Sequence, residues 1–229
     1  MPYEPALLLC LTLGAYTAGV SLQRLGQQHP LLNPTLIAIS IVAGALVVLR
    51  IDYGTYFSAA QPIHVLLGPA VVALAVPLFR HLPLLRERAA PLGVALFLGS
   101  LTAITSSIAA GWLFGLSHSM LMSLAPRSAT TAVSIAIAAQ IGGIPAVTAV
   151  LTILTGISGA LIGGYVLNAM RVADPAVRGF SMGLASHGIA TARAFQESEA
   201  AGTFSGLAMA LNAVATAILT PLLVRLLVH

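Results

Sequence analysis

A single arginine stands between two long apolar stretches, in the run Leu124-Ala125-Pro126-Arg127-Ser128-Ala129-Thr130-Thr131. If a helix begins near Pro126, Arg127 and the hydroxyl side chains that follow it at helical spacing share one face. A cation, hydroxyl donors and the positive end of a helix are together typical of an anion-binding site. The sequence therefore predicts that a small anion is bound by Arg127, Ser128, Thr130, Thr131 and Ser134. In the alternative interpretation, the arginine extends to the membrane interface and the hydroxyls bond their own backbone.

A second polar cluster, Ser186-His187-Gly188-Ile189-Ala190-Thr191-Ala192-Arg193, interrupts the apolar stretch Phe180–Arg193. His187 and Thr191 share a helical face at positions i and i+4. Histidine changes charge near neutral pH, so it suits coupling to H⁺ as well as substrate binding. We therefore add His187, Thr191 and Arg193 to the predicted binding residues. The alternative is a buried histidine that donates to a backbone carbonyl, with Arg193 at the cytoplasmic surface.

Asn33-Pro34 opens an apolar stretch, where asparagine suits a helix cap and proline the first helical position. Capping explains this pair, and Asn33 is retained as a further candidate for substrate contact. The sequence contains no motif typical of a nucleophilic, metal-dependent or phosphate-binding enzyme. The one cysteine, Cys10, has no neighbouring ligand in the sequence. We therefore predict neither an enzyme nor a bound metal or cofactor.

The elements that position these residues must lie in a membrane. Hydrophobic residues make up 58% of the 229 residues, charged residues 7%, and the mean hydropathy is +0.98. Soluble domains carry about 25% charged residues, so this chain has too few to cover a surface in water, and the lipid bilayer is its solvent. The ten basic residues are all arginine, and six of them cluster at predicted membrane ends: Arg24, Arg80, Arg86, Arg88, Arg171 and Arg178. They indicate cytoplasmic loops and not nucleic-acid binding.

The apolar runs predict an all-α, polytopic membrane protein with a single transport-like membrane domain over residues 1–229. A helical span needs about 20 apolar residues. The stretches Met120–Ile141 and Phe180–Arg193 are apolar but interrupted by polar residues, which gives six to eight helical spans. The six uninterrupted candidates are Pro5–Gln23, Leu31–Leu49, Ile63–Phe79, Pro91–Leu116, Ile144–Leu167 and Thr203–Val228.

The distribution of arginine predicts that Met120–Ile141 is a re-entrant hairpin. If this stretch were a simple span, Arg171 would lie on the opposite side of the membrane from the basic loop Arg80–Arg88. A hairpin broken near Pro126 keeps both on the cytoplasmic side, as the positive-inside rule requires. Irregular backbone at that depth is tolerated where it is buried in protein or lines a cavity.

A faint internal repeat predicts a second broken segment. Leu67-Gly68-Pro69 resembles Leu124-Ala125-Pro126, and each is followed at the same spacing by Ala-Val. Paired, proline-interrupted segments are typical of transporters built from inverted repeats, whose substrate site lies between the broken helices. The sequence therefore predicts an inverted repeat with breaks near Pro69 and Pro126 that face each other.

Taken together, these motifs resemble the LrgB/CidB family of bacterial membrane proteins over almost the whole chain. Arg127 departs from the lysine expected in many relatives, which keeps the positive charge but replaces a point charge by a planar fork. The blocks that carry the resemblance are Pro30-Leu31-Leu32-Asn33-Pro34, Gln61 to Pro77, Pro126 to Thr131, Ile141-Gly142-Gly143-Ile144-Pro145-Ala146, Leu167-Asn168-Ala169-Met170-Arg171 and Arg178 to Arg193.

The resemblance implies two different functions. One is a holin/antiholin-like regulator of murein hydrolase activity and lysis, acting with a small LrgA/CidA-type membrane partner. The other follows from similarity to the membrane domain of the plastidial glycolate/glycerate transporter. A holin needs self-assembling amphipathic helices, whereas a carrier of a small anion needs broken segments with a cation and hydroxyls. We therefore predict transport of a small hydroxy- or keto-monocarboxylate, such as glycolate, glycerate or pyruvate, across the bacterial inner membrane. H⁺ is the candidate coupling ion and a homo-oligomer the expected assembly.

Overall fold

The structure is a computed structural model that describes residues 5–26, 32–73 and 75–227. Helices account for 87% of it. Those ranges contain no strand. Within the described ranges, four helices are long and apolar enough to cross a membrane: Pro5–Leu25, Ala89–Leu113, Pro145–Ala169 and Glu199–Leu227. The predicted all-α, polytopic membrane protein is thereby confirmed.

The chain divides into two units, residues 1–75 and 76–229. The first unit contains α1 (Pro5–Leu25), α2 (Pro34–Leu49), α3 (Tyr53–Ala59) and α4 (Gln61–Ala73). Its core is formed by Leu8, Ile51 and Ala59. Asn33 caps α2, because its side-chain oxygen accepts hydrogen bonds from the backbone N–H groups of Thr35 and Leu36. The structure therefore shows the capping role expected for this residue.

Helix α4 continues through Pro69 to Ala73, so the second break is not at the proline where the sequence placed it. Proline removes one intrahelical hydrogen bond, a loss that membrane helices tolerate. The predicted span Ile63–Phe79 is divided between α4 and α5 (Ala75–Arg80). Pro30 and Leu31 of the family motif lie outside the described residues, as does Leu74.

The second unit contains the remaining helices and both polar clusters. After α5, which begins at the unit boundary, the chain forms seven helices in the described residues. They are α6 (Leu82–Glu87), α7 (Ala89–Leu113), α8 (His118–Leu124), α9 (Thr131–Ile141), α10 (Pro145–Ala169), α11 (Pro175–Glu197) and α12 (Glu199–Leu227).

Helices α8 and α9 form a hairpin, called the first hairpin, whose tip is residues 125–130. After α9 the chain returns to the end of α8, where the Ile144 N–H donates to Ser123 Oγ at 2.7 Å. The Thr148 hydroxyl also donates to the Ser123 carbonyl, at 3.1 Å. The chain therefore turns back near Pro126, as the arginine distribution predicts.

Helix α11 is a second hairpin, with its tip at Ser186 and His187. Both residues have non-helical backbone angles, and His187 lies at φ 43° and ψ −140°. Arg178 Nε lies 2.9 Å from Glu197 Oε2, although 19 residues of straight helix would separate them by about 28 Å. The two halves of α11 therefore fold back on each other, and Met182 packs with Ala190 across the hairpin.

The two hairpins enter from opposite ends of α10. This helix begins directly after the first hairpin and ends at the base of the second, where Arg178 Nη1 donates to Asn168 Oδ1 at 2.8 Å. Its 25 residues span about 37 Å, more than the hydrocarbon thickness of a bilayer. The second unit therefore contains two similar segments that run in opposite directions. One is α7 with the first hairpin, and the other is α10 with the second hairpin.

Ion pairs place the basic loops at one end of this unit. Arg88, just before α7, pairs with Asp174, just before α11, and Arg80 pairs with Glu199. The loops that carry Arg80–Arg88 and Arg171–Arg178 therefore lie together at the base of the second hairpin. The positive-inside rule predicts that this end faces the cytoplasm.

We expect Asp174 to make stability depend on pH. Its carboxylate accepts a hydrogen bond from Arg88, which holds the pKa of Asp174 below its ordinary value of 3.8, and it also caps α11. A carboxyl whose pKa is lowered by folding contributes stability above its unfolded pKa and loses it as the pH falls through its folded pKa. Below about pH 4, the wild-type protein should therefore lose thermal stability that the Asp174→Asn variant does not lose.

The effect should be at most about 1 kcal/mol, because both side chains are about a third or more exposed. It is measured as the unfolding temperature of the purified protein against pH. Glu87→Gln, at an exposed carboxylate with no ion pair among the described residues, serves as the control. Parallel curves for the wild type and Asp174→Asn would contradict the prediction.

Candidate anion-binding site

The tip of the first hairpin is a tight turn that carries Arg127. Helix α8 ends at Leu124, and two turn bonds follow, from the Arg127 N–H to Leu124 and from the Ala129 N–H to Pro126. The fully buried Ser134 hydroxyl donates to the Pro126 carbonyl at 2.7 Å. Ser134 thus fixes the tip to α9.

The guanidinium of Arg127 bridges two helices. Its Nε donates to Ser107 Oγ on α7 at 2.7 Å, and its Nη1 donates to Thr155 Oγ1 on α10 at 3.2 Å. Each hydroxyl in turn donates to a carbonyl of its own helix, Ser107 to Ala103 and Thr155 to Leu151. The hydroxyl protons are therefore engaged, and their lone pairs accept from the arginine.

Arg127 forms no ion pair with any described carboxylate. Its only described side-chain partners are two neutral hydroxyls, and Nη2 has no hydrogen bond among the described residues. A charge in the middle of a membrane protein costs at least about 2.5–3.5 kcal/mol on insertion scales. Such an unneutralised cation favours the binding of an anion.

Arg127 opens onto a cavity of about 980 Å³ between α7, α10 and the first half of α11. Among the described residues that line it, Arg127 is the one charged side chain, and most of the others are small or apolar. The hydroxyl side chains on the wall are Thr102, Ser107, Ser128, Thr155, Ser158, Ser181 and Ser186. An anion here would meet one fixed cation, several hydroxyls and an otherwise apolar wall.

The predicted residues of the first cluster divide into two groups. Arg127 and Ser128 line the cavity, and the hydroxyl of Ser128, a residue 4% exposed, has no hydrogen-bond partner among the described residues. Thr130 and Thr131 lie where α9 begins and are not part of the described cavity wall. Arg127 therefore precedes the helix and does not share a helical face with these threonines, because the turn after Pro126 delays the start of α9.

The second cluster is engaged in holding the second hairpin. His187 is 4% exposed, and its Nε2 lies 2.9 Å from the Thr152 carbonyl on α10. Because a carbonyl only accepts, Nε2 carries the hydrogen. Thr191 donates to the His187 carbonyl and bonds Ser205 on α12. This is the arrangement of the alternative interpretation, a buried histidine that donates to the backbone.

The residues of the second cluster lie in different surroundings. Ser186 lines the cavity, whereas His187, Thr191 and Arg193 are not among the described residues of its wall. Arg193 donates to Gln196 at 2.8 Å, on the half of α11 that returns to the base of the hairpin. The structure thus brings Ser186 to Arg127's cavity and directs the other residues elsewhere.

Sequence reasoning missed Asn212, which contacts both hairpins. Its Nδ2 donates to the carbonyls of Ser128, at 2.9 Å, and Leu184, at 3.0 Å. Its Oδ1 accepts from Ser100 on α7 at 2.7 Å and from Thr216 at 3.3 Å. The one available signal was an amide inside the long apolar helix α12, since polar groups in membrane helices usually need partners.

Comparison with known proteins finds one family that matches most of the chain. The profile of the LrgB-like family matches residues 12–226. The chain belongs to the LrgB-like family. The LrgB-like protein is 34% identical over 220 residues to the uncharacterized protein YxaC of Bacillus subtilis, covering 96% of this chain and 95% of that one.

Two further relatives cover most of the LrgB-like protein. It is 35% identical over 192 residues to the uncharacterized protein YwbG of Bacillus subtilis, with 83% and 85% of the two chains covered. It is 31% identical over 227 residues to the holin-like protein CidB of Staphylococcus aureus, with 97% of each covered. No solved structure matches it.

Proposed function

We propose that this LrgB-like protein carries a small monocarboxylate across the membrane. The observation that carries the proposal is Arg127, a cation without a carboxylate partner among the described residues, which lines a cavity at the tip of a re-entrant hairpin. A carboxylate that leaves water loses its hydration, and a fixed cation with hydrogen-bond donors replaces it. Ser107 and Thr155 orient the guanidinium, which leaves Nη2 for the anion.

The chemistry of the wall favours a hydroxy- or keto-acid with one carboxylate. One cation neutralises one negative charge, and a second carboxylate would remain uncompensated in surroundings of low dielectric constant. Hydroxyls of the cavity wall, such as those of Ser158 and Ser186, can bond a hydroxyl or keto oxygen. Glycolate, glycerate and pyruvate combine these groups with a short carbon chain. We propose H⁺ as the coupling ion.

For the other predicted residues of the second unit, we retain a contribution to the same site. Thr130 and Thr131 would act through the amino end of α9, and His187, Thr191 and Arg193 through the second hairpin. Asn33, in the first unit, is retained as a separate candidate for substrate contact. We propose that residues 1–229 form one transport domain in the bacterial inner membrane, since its CidB relatives are bacterial proteins.

The second candidate function is a holin-like regulator of murein hydrolase activity and lysis. It is supported by the name of the CidB relatives, which are called holin-like, whereas YxaC and YwbG are called uncharacterized and none of the three names mentions transport. In this function the protein would act through contact with an LrgA/CidA-type membrane partner, and as a homo-oligomer. A buried cation in a cavity has no evident role in such contacts.

Uptake into proteoliposomes tests the proposed function. The purified protein is reconstituted alone or with an LrgA-type partner, and the entry of radiolabelled glycolate, glycerate or pyruvate is measured against protein-free vesicles. We expect saturable uptake that an excess of another unlabelled monocarboxylate inhibits and a dicarboxylate does not. An inward pH gradient should accelerate it if H⁺ is coupled. Absence of uptake in both preparations would favour the regulator.

A further inference from the structure

The two hairpin tips, which enter from opposite ends of α10, meet at one buried side chain. Asn212 is 1% exposed and lies near the middle of α12, and its partner Ser100 lies near the middle of α7. Its two N–H bonds reach Ser128 in the first tip and Leu184 in the last turn before the second tip. A single amide thus links both interruptions of regular helix.

We propose that Asn212 is the positioning residue of the anion site, holding both tips so that Arg127 and Ser128 face the cavity. This inference rests on the proposed function. Ser128, whose carbonyl accepts one of the two bonds, directly follows Arg127 in the tip. The position of the guanidinium therefore depends on the bond from Asn212 to its neighbour.

The chemistry of the amide fits this role. The two carbonyls can only accept, and an asparagine amide supplies two donors in one plane. Its oxygen accepts from Ser100 and Thr216, and its nitrogen must face the two carbonyls because they can only accept, so the orientation of the amide is fixed. Aspartate at this position would present oxygen to two carbonyls, and leucine would leave both carbonyls unsatisfied in a buried place.

The hydrogen bonds that Asn212 donates also change the electrostatic potential at the cavity. Carbonyls at an interrupted helix carry partial negative charge and repel an anion. Because Asn212 donates to Ser128 and Leu184, these two carbonyls are engaged by the protein. Arg127 and Ser128 of the same tip line the cavity. Asn212 therefore engages two carbonyls that would otherwise oppose the binding of an anion beside Arg127.

Hydrogen exchange of the full-length protein tests the positioning without requiring transport. Asn212→Ala is compared with Thr220→Val, which alters a buried side chain two turns further along α12 whose hydroxyl has no partner among the described residues. We expect Asn212→Ala to raise backbone exchange in residues 125–130 and 184–188 together, by about tenfold, as the loss of one hydrogen bond to each tip implies. Thr220→Val should leave both segments unchanged.

The consequence for the anion is measured as the KM and maximal rate of radiolabelled glycolate uptake, at equal amounts of folded protein. Asn212→Ala should raise KM by about tenfold or more, since Arg127 and Ser128 lose their position. A purely structural role would lower the amount of folded protein while leaving KM unchanged. If Asn212→Ala does not fold, Ser100→Ala, which removes one bond that orients the amide, should show the same changes at about threefold.

The outcomes separate this inference from the proposed function. Unchanged exchange at either tip in a folded Asn212 variant overturns the inference, whatever the transport result. Increased exchange with an unchanged KM also overturns it, because the tips would then be held without effect on the anion. If the wild type transports none of the carboxylates, the proposed function fails, while the exchange data still report whether Asn212 holds the tips.

Discussion

Carboxylate uptake is expected to fall by at least about 30-fold when Arg127 is replaced by alanine, because a desolvated carboxylate that loses its charged partner loses about 2–5 kcal/mol of binding free energy. The protein should still insert and fold. Arg127 bonds only two hydroxyl side chains among the described residues, and each of those also has a carbonyl partner in its own helix. Uptake is measured in proteoliposomes at matched protein amounts.

Arg127→Lys should keep part of the activity. The charge survives, but an ammonium cannot bond Ser107 and Thr155 and still present a planar face to the anion. Arg86→Ala, at an exposed arginine of α6, is the matched control and should transport normally. Normal uptake by Arg127→Ala would show that Arg127 does not bind the anion. The cluster around His187 and Arg193 would then be the better candidate for the binding site.

Gly183→Ala is expected to destabilise the second hairpin strongly, although it adds a single methyl group. A Cβ at Gly183 would overlap the Ser205 carbonyl of α12, and one at Gly179 would overlap the Ala201 carbonyl one turn away. These are backbone atoms, which cannot rotate aside as a side chain can. Overpacking of this kind costs about 3 kcal/mol or more, so the unfolding temperature and the yield of folded protein should both fall sharply.

Gly93→Ala is the matched control for Gly183→Ala. It adds the same methyl group within a helix, α7, at a position with no atom within 4 Å of the new carbon. Alanine has a higher helix propensity than glycine, so stability should be unchanged or increase by up to about 1 kcal/mol. Equal unfolding temperatures for the two variants would show that α11 and α12 can separate at little cost.

The sequence was sufficient to predict the membrane class and the first hairpin. Low charge and long apolar runs set the environment, and the position of Arg171 relative to Arg80–Arg88 required an even number of crossings between them. Pro126 then indicated where the chain turns. Arg127 was identified because a charge in lipid is costly and few such residues occur without a partner or a ligand.

The second hairpin could not be predicted in the same way. Its tip contains no proline, and the backbone of His187 adopts a positive φ that no local pattern indicates. The contacts that force this turn are distant in sequence: His187 with Thr152, Arg178 with Glu197 and the α11 glycines with α12. Asn212 was missed for the same reason, since its partners lie 28, 84 and 112 residues away.

The close approach of α11 and α12 also determines which walls of the cavity can part. The backbone of α12 occupies the space beside Gly179 and Gly183, so sliding the second hairpin along α12 would press larger neighbouring side chains against that backbone. The hairpin and α12 therefore behave as one rigid body, and Asn212 travels with it. An entrance for the substrate must then form where this body meets α7 or the first hairpin, and the bonds of Asn212 with Ser100 and Ser128 lie across that seam.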